Sequence, residues 1–501
     1  MKIATLTPFQ FRLATSVLYA VLSGEKSTDD AYAHFFRKVK ICNREQALIT
    51  RVVGDIMRRL NYYLKLAGLE DTAKACNAKG VDSLVHVWHI LNNLPQTPDA
   101  RTAPLDIGQF RILNKELKKD RPLVDGCPEW LEIHGDYELG DRWPAERAAL
   151  WQPPRRYIRV NTLKTTREEL KKILLRSEVA TREVENVPTA LEILTDASLF
   201  RMNAFSSGLF EQQDAGSQLI APFLEIRPGM RIIDACSGSG GKTLHLAALT
   251  GGKGTIIAMD VAAWKLDDLK QRARRAGAFN IETRHIDSTK VIKRLAGTAD
   301  RVLLDVPCTG LGVLKRNPDI KWADTPSRLS KIYQTQAEIL ESYSRMVKPG
   351  GKLVYSTCSI MPVENGLQIK AFLKKHGDEF RLEEERTVYP SETGFDGFYM
   401  ARLARSEAAP EKEPEEADPA VPAKDSRQRR KKDRRQNALE TPAGAQTADL
   451  KPEPSPDGEP AQSPKPAGAP APDQTVKDPE GVPEAVSGEN HSDVDGGKTR
   501  T

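Results

Sequence analysis

The chain is short of cysteine and shorter still of paired cysteine. Six thiols stand far apart in 501 residues, Cys42, Cys76, Cys127, Cys236, Cys308 and Cys358, with no C-x-x-C anywhere. That excludes a disulfide scaffold and an ordinary zinc module, so no metal site is expected, and few scattered thiols suit a reducing cytoplasm. No apolar run reaches the roughly 18 residues that a membrane span requires. Residues 17–22 resemble the apolar part of a signal peptide, but Gln10 and Arg12 interrupt the approach. Leu13, Val17 and Val21 recur there at helical spacing, so a core-facing helix is expected and neither secretion nor membrane insertion. Aromatics end at Tyr399. Residues 406–501 hold no Phe, Trp or Tyr and 15 of the 33 prolines, a composition that cannot bury a core and predicts a disordered tail. Its basic run at 427–435 reads as solvated and non-specific.

What is present is charge, unevenly divided. The last 96 residues hold 14 Lys and Arg against 20 Asp and Glu, so the overall +5 conceals +11 on residues 1–405. A basic folded part suits a polyanionic partner, nucleic acid first.

Periodicity divides those residues further. Residues 1–75 read as a helical module: Ile49, Val52, Val53, Ile56, Leu60 and Leu64 form a stripe. Arg51, Arg58, Arg59 and Lys65 fall on other faces, as RNA contacts or as a solvated surface. Residues 76–127, short helical stretches separated by Pro95, Pro98 and Pro104, read as a connector. Residues 128–205 read as a small α+β unit, with strands at 157–160 and 191–194 and a helix at 167–177 opened by a Thr166/Glu169 capping box. In 206–405, strands at 231–236, 254–260, 281–286, 301–305, 352–356 and 398–403 alternate with helices at 242–249, 262–276 and 334–347. That alternation predicts an α/β domain whose parallel sheet binds ligands at its carboxyl edge.

The first strand–helix junction reads Asp234-Ala-Cys-Ser-Gly-Ser-Gly-Gly-Lys-Thr243. A glycine-dense turn lets the backbone approach a ligand, and the following helix offers free N–H groups. Cys236 stands where a phosphate loop needs its first glycine, and Thr243 where a dinucleotide fingerprint needs its last, so both of those patterns fail. The next strand ends in Asp260, placed to accept both ribose hydroxyls, and the third is followed by Asp287, suited to an adenine edge. This rim, Cys236, Ser237, Gly238, Ser239, Gly240, Gly241 and Lys242 with Asp260 and Asp287, points to S-adenosylmethionine.

The fourth strand runs into Asp305-Val-Pro-Cys-Thr-Gly-Leu-Gly-Val-Leu-Lys-Arg-Asn-Pro-Asp-Ile-Lys-Trp322, with Lys315 and Arg316 as a cationic pair at the ligand edge. The fifth ends in Tyr355-Ser-Thr-Cys-Ser359, followed by Glu364-Asn365. Two thiols therefore meet one edge, beside Asp305. C5 of a pyrimidine attacks a sulfonium methyl only after a soft nucleophile has added at C6, and a thiolate does this well. A carboxylic acid at N3 would stabilise the adduct, a role for which Asp305 is placed.

The segments 234–243, 305–322 and 355–365 resemble the signature motifs of the Sun/Fmu (RsmB-type) family of RNA cytosine-C5 methyltransferases. The resemblance runs upstream through Phe210-Glu-Gln-Gln-Asp-Ala-Gly-Ser-Gln218 to about Pro128, and more weakly over 8–67, which is similar to a shortened NusB-like RNA-binding domain. It implies a Rossmann-like class I methyltransferase domain, with Cys358 as nucleophile and Cys308 assisting release of the methylated base. It also implies S-adenosylmethionine on residues 236–242, Asp260, Asp287 and Asp305, with RNA, ribosomal RNA first, as partner of a monomeric cytoplasmic enzyme. Two departures stand out. Ser237-Gly238-Ser239 replaces the family's Ala-Ala-Pro, which should loosen the turn, and Gly366 replaces an acid, a change expected to be tolerated. Two other readings stay open: a DNA cytosine methyltransferase, which would use the Pro-Cys thiol after strand four, and an assembly factor that has lost catalysis.

Overall fold

The computed structural model describes residues 5–96, 101–323 and 326–407. The tail and its basic run lie outside the described residues. Among the described residues no helix is long and apolar enough to cross a membrane.

The helices Pro8–Leu22, Thr28–Lys38, Asn43–Arg58 and Leu60–Leu66 form the N-terminal part, the first opened by a Thr7/Gln10 capping box. The stripe from Ile49 to Leu64 is buried, against Phe11, Val17 and Leu18 of the first helix. Burial at helical period is what holds short helices together in water. The stretch read as a connector differs. The helical stretches expected there are present, but the 14-residue helix Ala78–Leu91 belongs to the N-terminal part, its Val81, Leu84, Val85 and Trp88 sharing that same core. The prolines that suggested a linker all follow this helix.

The next unit is a four-stranded antiparallel sheet, β1 Arg156–Val160, β2 Thr181–Glu183, β3 Ala190–Ile193 and β4 Phe210–Gln212, in the order β2-β3-β1-β4. The helix Arg167–Arg176, with the expected Thr166/Glu169 box, buries Leu170 and Leu174 on Ile158, Val160, Leu191 and Phe210.

The largest unit holds seven strands: β5 Arg231–Asp234, β6 Thr255–Asp260, β7 Ile281–His285, β8 Ala299–Asp305, β9 Val347–Thr357, β10 Phe380–Val388 and β11 Phe398–Arg405. Their order is β10-β11-β9-β8-β5-β6-β7. β5 to β9 run parallel, while β11 pairs antiparallel with β9 and β10, so the sheet is mixed rather than wholly parallel. Period-two alternation gives the central strands β5, β6, β8 and β9 two buried faces: Ile233, Ile257, Val302 and Leu353 pack on one side, Ile232, Ile256, Leu303 and Val354 on the other. This is the Rossmann-like architecture expected, except that Phe210–Gln212, which the sequence reading puts in this domain, is the edge strand of the antiparallel sheet, paired with β1. β10 was not foreseen, because Arg381-Leu-Glu-Glu-Glu-Arg386 is mostly exposed and carries little apolar signal.

Candidate active site

The turn after β5 is fixed by bonds to the end of β6 and by one within itself. Ser237 N–H donates to Met259 O (2.9 Å), Gly240 N–H to Ser237 O (2.9 Å), and Gly238 N–H to Asp260 Oδ2 (2.9 Å). The other Asp260 oxygen accepts from Ala262 N–H (2.8 Å), so this carboxylate shapes the turn besides facing it. Gly240 has φ +86°, and a Cβ there would lie 2.0 Å from Leu269 Cδ1, so only glycine fits. Asp287 sits beyond β7, exposed, accepting from Ser288 Oγ (2.9 Å). Asp234 is buried and accepts from Thr243 Oγ1 (2.7 Å). Burial and three surrounding carboxylates raise the Cys236 thiol, leaving it an inert neutral group.

β8 and β9 are neighbours with Asp305 paired to Ser356, so the chain leaves both strands at one level of the edge. The sulfurs of Cys308 and Cys358 lie 2.9 Å apart, and Cys358 N–H donates to Cys308 Sγ (3.2 Å). The contact with Cys358, together with burial, raises the Cys308 thiol well above its ordinary value. Asp305 Oδ2 accepts from Lys242 Nζ (2.6 Å) and Oδ1 from Ser356 Oγ (2.8 Å). Burial works against the Lys242 ammonium, yet Asp305, and behind it Cys358, hold its pKa above the ordinary value. A fixed cation thus stands beside a carboxylate and two thiols, an arrangement that can carry a thiolate and bind a polar base edge.

Two residues to which the sequence reading gives no role support this edge: Glu364, within the third motif, and Gln336, outside all of them. Glu364 is fully buried, and its carboxylate accepts from Thr309 N–H (2.9 Å), Thr309 Oγ1 (2.5 Å) and Gln336 Nε2 (2.9 Å). Gln336 also donates to Pro307 O (3.0 Å), so both sides of Cys308 are held. Gly312 N–H donates to Cys358 O (2.9 Å), and a Cβ on Gly312 would meet Gly397 O at 2.3 Å. At Gly366 a Cβ would face Glu385 Oε2 at 3.5 Å, so an acid there would meet a like charge.

The cationic pair is not at the ligand edge. Lys315 is buried and donates to Gly394 O (3.0 Å) and Phe395 O (2.7 Å); Arg316 binds Asp396 (2.5 Å), Asp214 (2.9 Å) and Arg155 O (2.9 Å). These cations tie the loop after β8 to β4 and to the turn before β11. Arg58 is likewise buried, bonded to Asp55 (2.7 Å) and Lys315 O (3.3 Å), so it is no surface contact for RNA. Sequence spacing put it off the apolar stripe; Asp55, three residues earlier, neutralises it inside.

Three features of the turn suit S-adenosylmethionine. The helix Gly241–Leu249 starts without a side-chain cap, which leaves its first N–H groups for a ligand. A Cβ at Gly238 or Gly241 would meet nothing within 4 Å. Asp234 Oδ1 and Ser237 Oγ are buried without a hydrogen-bond partner. The residues present fit the group.

Comparison with known proteins agrees. Residues 221–404 match the family model described as 16S rRNA methyltransferase RsmB/F, and residues 127–199 the ferredoxin-like domain of RsmF/B-like methyltransferases. The ribosomal RNA small subunit methyltransferase B of Vibrio cholerae is 32% identical over 428 residues, 78% of this chain and 96% of that protein. The protein of the same name from Pasteurella multocida is 32% identical over 315 residues, 59% of this chain and 70% of its own length. Among solved structures, that of PH0851 has a TM-score of 0.66 at 27% identity, covering 80% of this chain and all of the other.

Proposed function

This chain belongs to the RsmB/F family of 16S ribosomal RNA methyltransferases, and from that premise we propose that it methylates C5 of a cytosine in structured ribosomal RNA through a bond between Cys358 and C6. The observation that carries this reading is the 2.9 Å pairing of Cys308 with Cys358 beside the Lys242–Asp305 ion pair.

When bound, S-adenosylmethionine supplies an electrophilic methyl group on a sulfonium. The cofactor would lie on residues 236–242, with Asp260 at the ribose and Asp287 at the adenine edge. A cytosine flipped out of its stack would enter over Asp305, whose four lone-pair sites are only partly used by Lys242 and Ser356. Cys358, as thiolate beside the Lys242 ammonium, adds to C6, and the electron pair of the C5–C6 double bond moves onto C5. C5 would then take the methyl as the methyl–sulfonium bond breaks and leaves a neutral thioether; the C5 proton passes to solvent water, and the returning electron pair expels the Cys358 sulfur. Cys308, holding its proton 2.9 Å away, assists that departure. The helical module and the small sheet grip the RNA, and the enzyme acts as a cytoplasmic monomer.

Purified full-length chain with methyl-labelled S-adenosylmethionine and ribosomal RNA tests this. Label recovered as 5-methylcytosine after nuclease digestion is the expected result. Transfer to another base, or to DNA in preference, overturns it.

A further inference from the structure

The cofactor turn is gripped from outside by two guanidinium groups that the proposed chemistry does not use. Arg159 of β1 is 1% exposed, and its Nη1 donates to Gly241 O (2.6 Å) and to Gln213 Oε1 (2.5 Å). Both acceptors are neutral. Burial pushes this guanidinium down to about 9, with the Glu211 charge opposing the fall. A buried cation resting on neutral oxygens is expensive, and an apolar side chain would pack there at less cost. Arg272, on the helix Ala263–Ala276, donates from Nη1 to Ser239 O (2.7 Å) and from Nη2 to Glu211 Oε2 (2.9 Å). Glu211, buried on β4, also accepts from Arg275 (2.5 Å).

Peptide units are rigid and trans, so anchoring a carbonyl also aims the next N–H in the opposite direction. The Ser239 carbonyl is held by Arg272 while Gly240 N–H returns to Ser237 O (2.9 Å), which fixes that peptide at both ends. With Gly241 O turned toward Arg159, Lys242 N–H points away from it. Ser237-Gly238-Ser239-Gly240-Gly241 contains three glycines and no proline, a stretch with much backbone freedom to lose on binding. We propose that Arg159 and Arg272 are positioning residues that preorganise the cofactor turn, and that the antiparallel sheet, through β1 and β4, is thereby a structural wall of the S-adenosylmethionine site. This rests on the reading that residues 236–242 hold the cofactor.

Arg272→Met in the full chain, measured by calorimetry, should weaken S-adenosylmethionine about tenfold, the loss of one charge-assisted bond. KM for the cofactor should rise in step, with kcat at saturating cofactor within about threefold of wild type, as expected where only binding order is lost. Arg272→Lys, which keeps one donor group, should fall between Met and wild type. A merely structural role would lower thermal stability without this KM-against-kcat split. Asp260→Asn is run alongside. If Asp260→Asn weakens cofactor binding and neither Arg272 variant does, the clamp is wrong. If Asp260→Asn leaves affinity unchanged, the placement of the cofactor has failed and the proposal falls with it.

Discussion

Lys242 Nζ lies 2.6 Å from Asp305 Oδ2, joining the turn after β5 to the end of β8 by one ion pair. On the proposed reading the pair ties the cofactor side of the edge to the base side, with the thiols of Cys308 and Cys358 beside it.

Cys358→Ala should abolish methyl transfer and form no covalent RNA adduct while still binding S-adenosylmethionine. Cys308→Ala should stop turnover after the methyl has moved, leaving a protein–RNA band that survives denaturing electrophoresis and disappears in the double mutant. A band that forms with Cys358→Ala and requires Cys308 would exchange the two roles and favour the DNA-type arrangement.

RNA grip should reside on exposed cations, which excludes Arg58. Arg37, Lys38 and Lys40 are exposed at the end of the helix Thr28–Lys38. Reversing all three to Glu should weaken RNA binding and flatten its log–log salt dependence by about 0.7–0.9 for each phosphate no longer neutralised. Arg58→Glu should instead lower the melting temperature, because it places a buried acid against Asp55. Filter binding over a salt series and thermal melts separate the two, and an unchanged salt slope in the triple variant removes this face from the RNA path.

Burial raises the Asp234 carboxyl from its ordinary 3.8 to about 7, with the Thr243 hydroxyl opposing and Asp305 adding to the rise. The folded chain therefore holds a proton that the unfolded chain has released. This contribution is fully present below the unfolded value and is lost as pH rises through the folded one. Wild type should thus lose melting temperature more steeply than Asp234→Asn between pH 4 and 7. Parallel profiles would show that Asp234 is charged throughout.

Glu364→Gln turns an amide N–H₂ toward donors that now share a carboxylate. Stability should fall by about 2 kcal/mol, the scale of a charged hydrogen bond removed from the interior. Adduct formation should slow as the loop carrying Cys308 loosens. Denaturant titration and single-turnover kinetics measure the two effects, and an unaltered adduct rate would confine Glu364 to packing.

What could be read from the sequence was whatever repeats locally. The stripe from Ile49 to Leu64, the Thr166/Glu169 box and the strand ends carrying Asp260, Asp305 and Cys358 each announce themselves within a few residues. Glu364 stood in a quoted motif, but its role was not legible, because its partners Thr309 and Gln336 lie 55 and 28 residues away and no local pattern links them. Lys315 and Arg316 misled for a related reason: a charge reads as exposed until the Asp214 and Asp396 that neutralise it, 102 and 80 residues distant, are brought alongside. The looser turn expected of Ser237-Gly238-Ser239 meets restraint from Arg159 and Arg272, neither of which lies within the turn.

The adjacency of β8 and β9 has a consequence for how such a catalyst can be altered. Adjacent strands sit about 4.8 Å apart, a spacing set by backbone hydrogen bonds and hence indifferent to side-chain identity. Two thiols just beyond the ends of such strands, 2.9 Å apart, are two seats on a rigid bench, and on the proposed reading either lies near the base. Moving the attacking sulfur from one seat to the other asks for a substitution in a loop and leaves every strand in register, so the choice of nucleophile is separable from the scaffold that presents it.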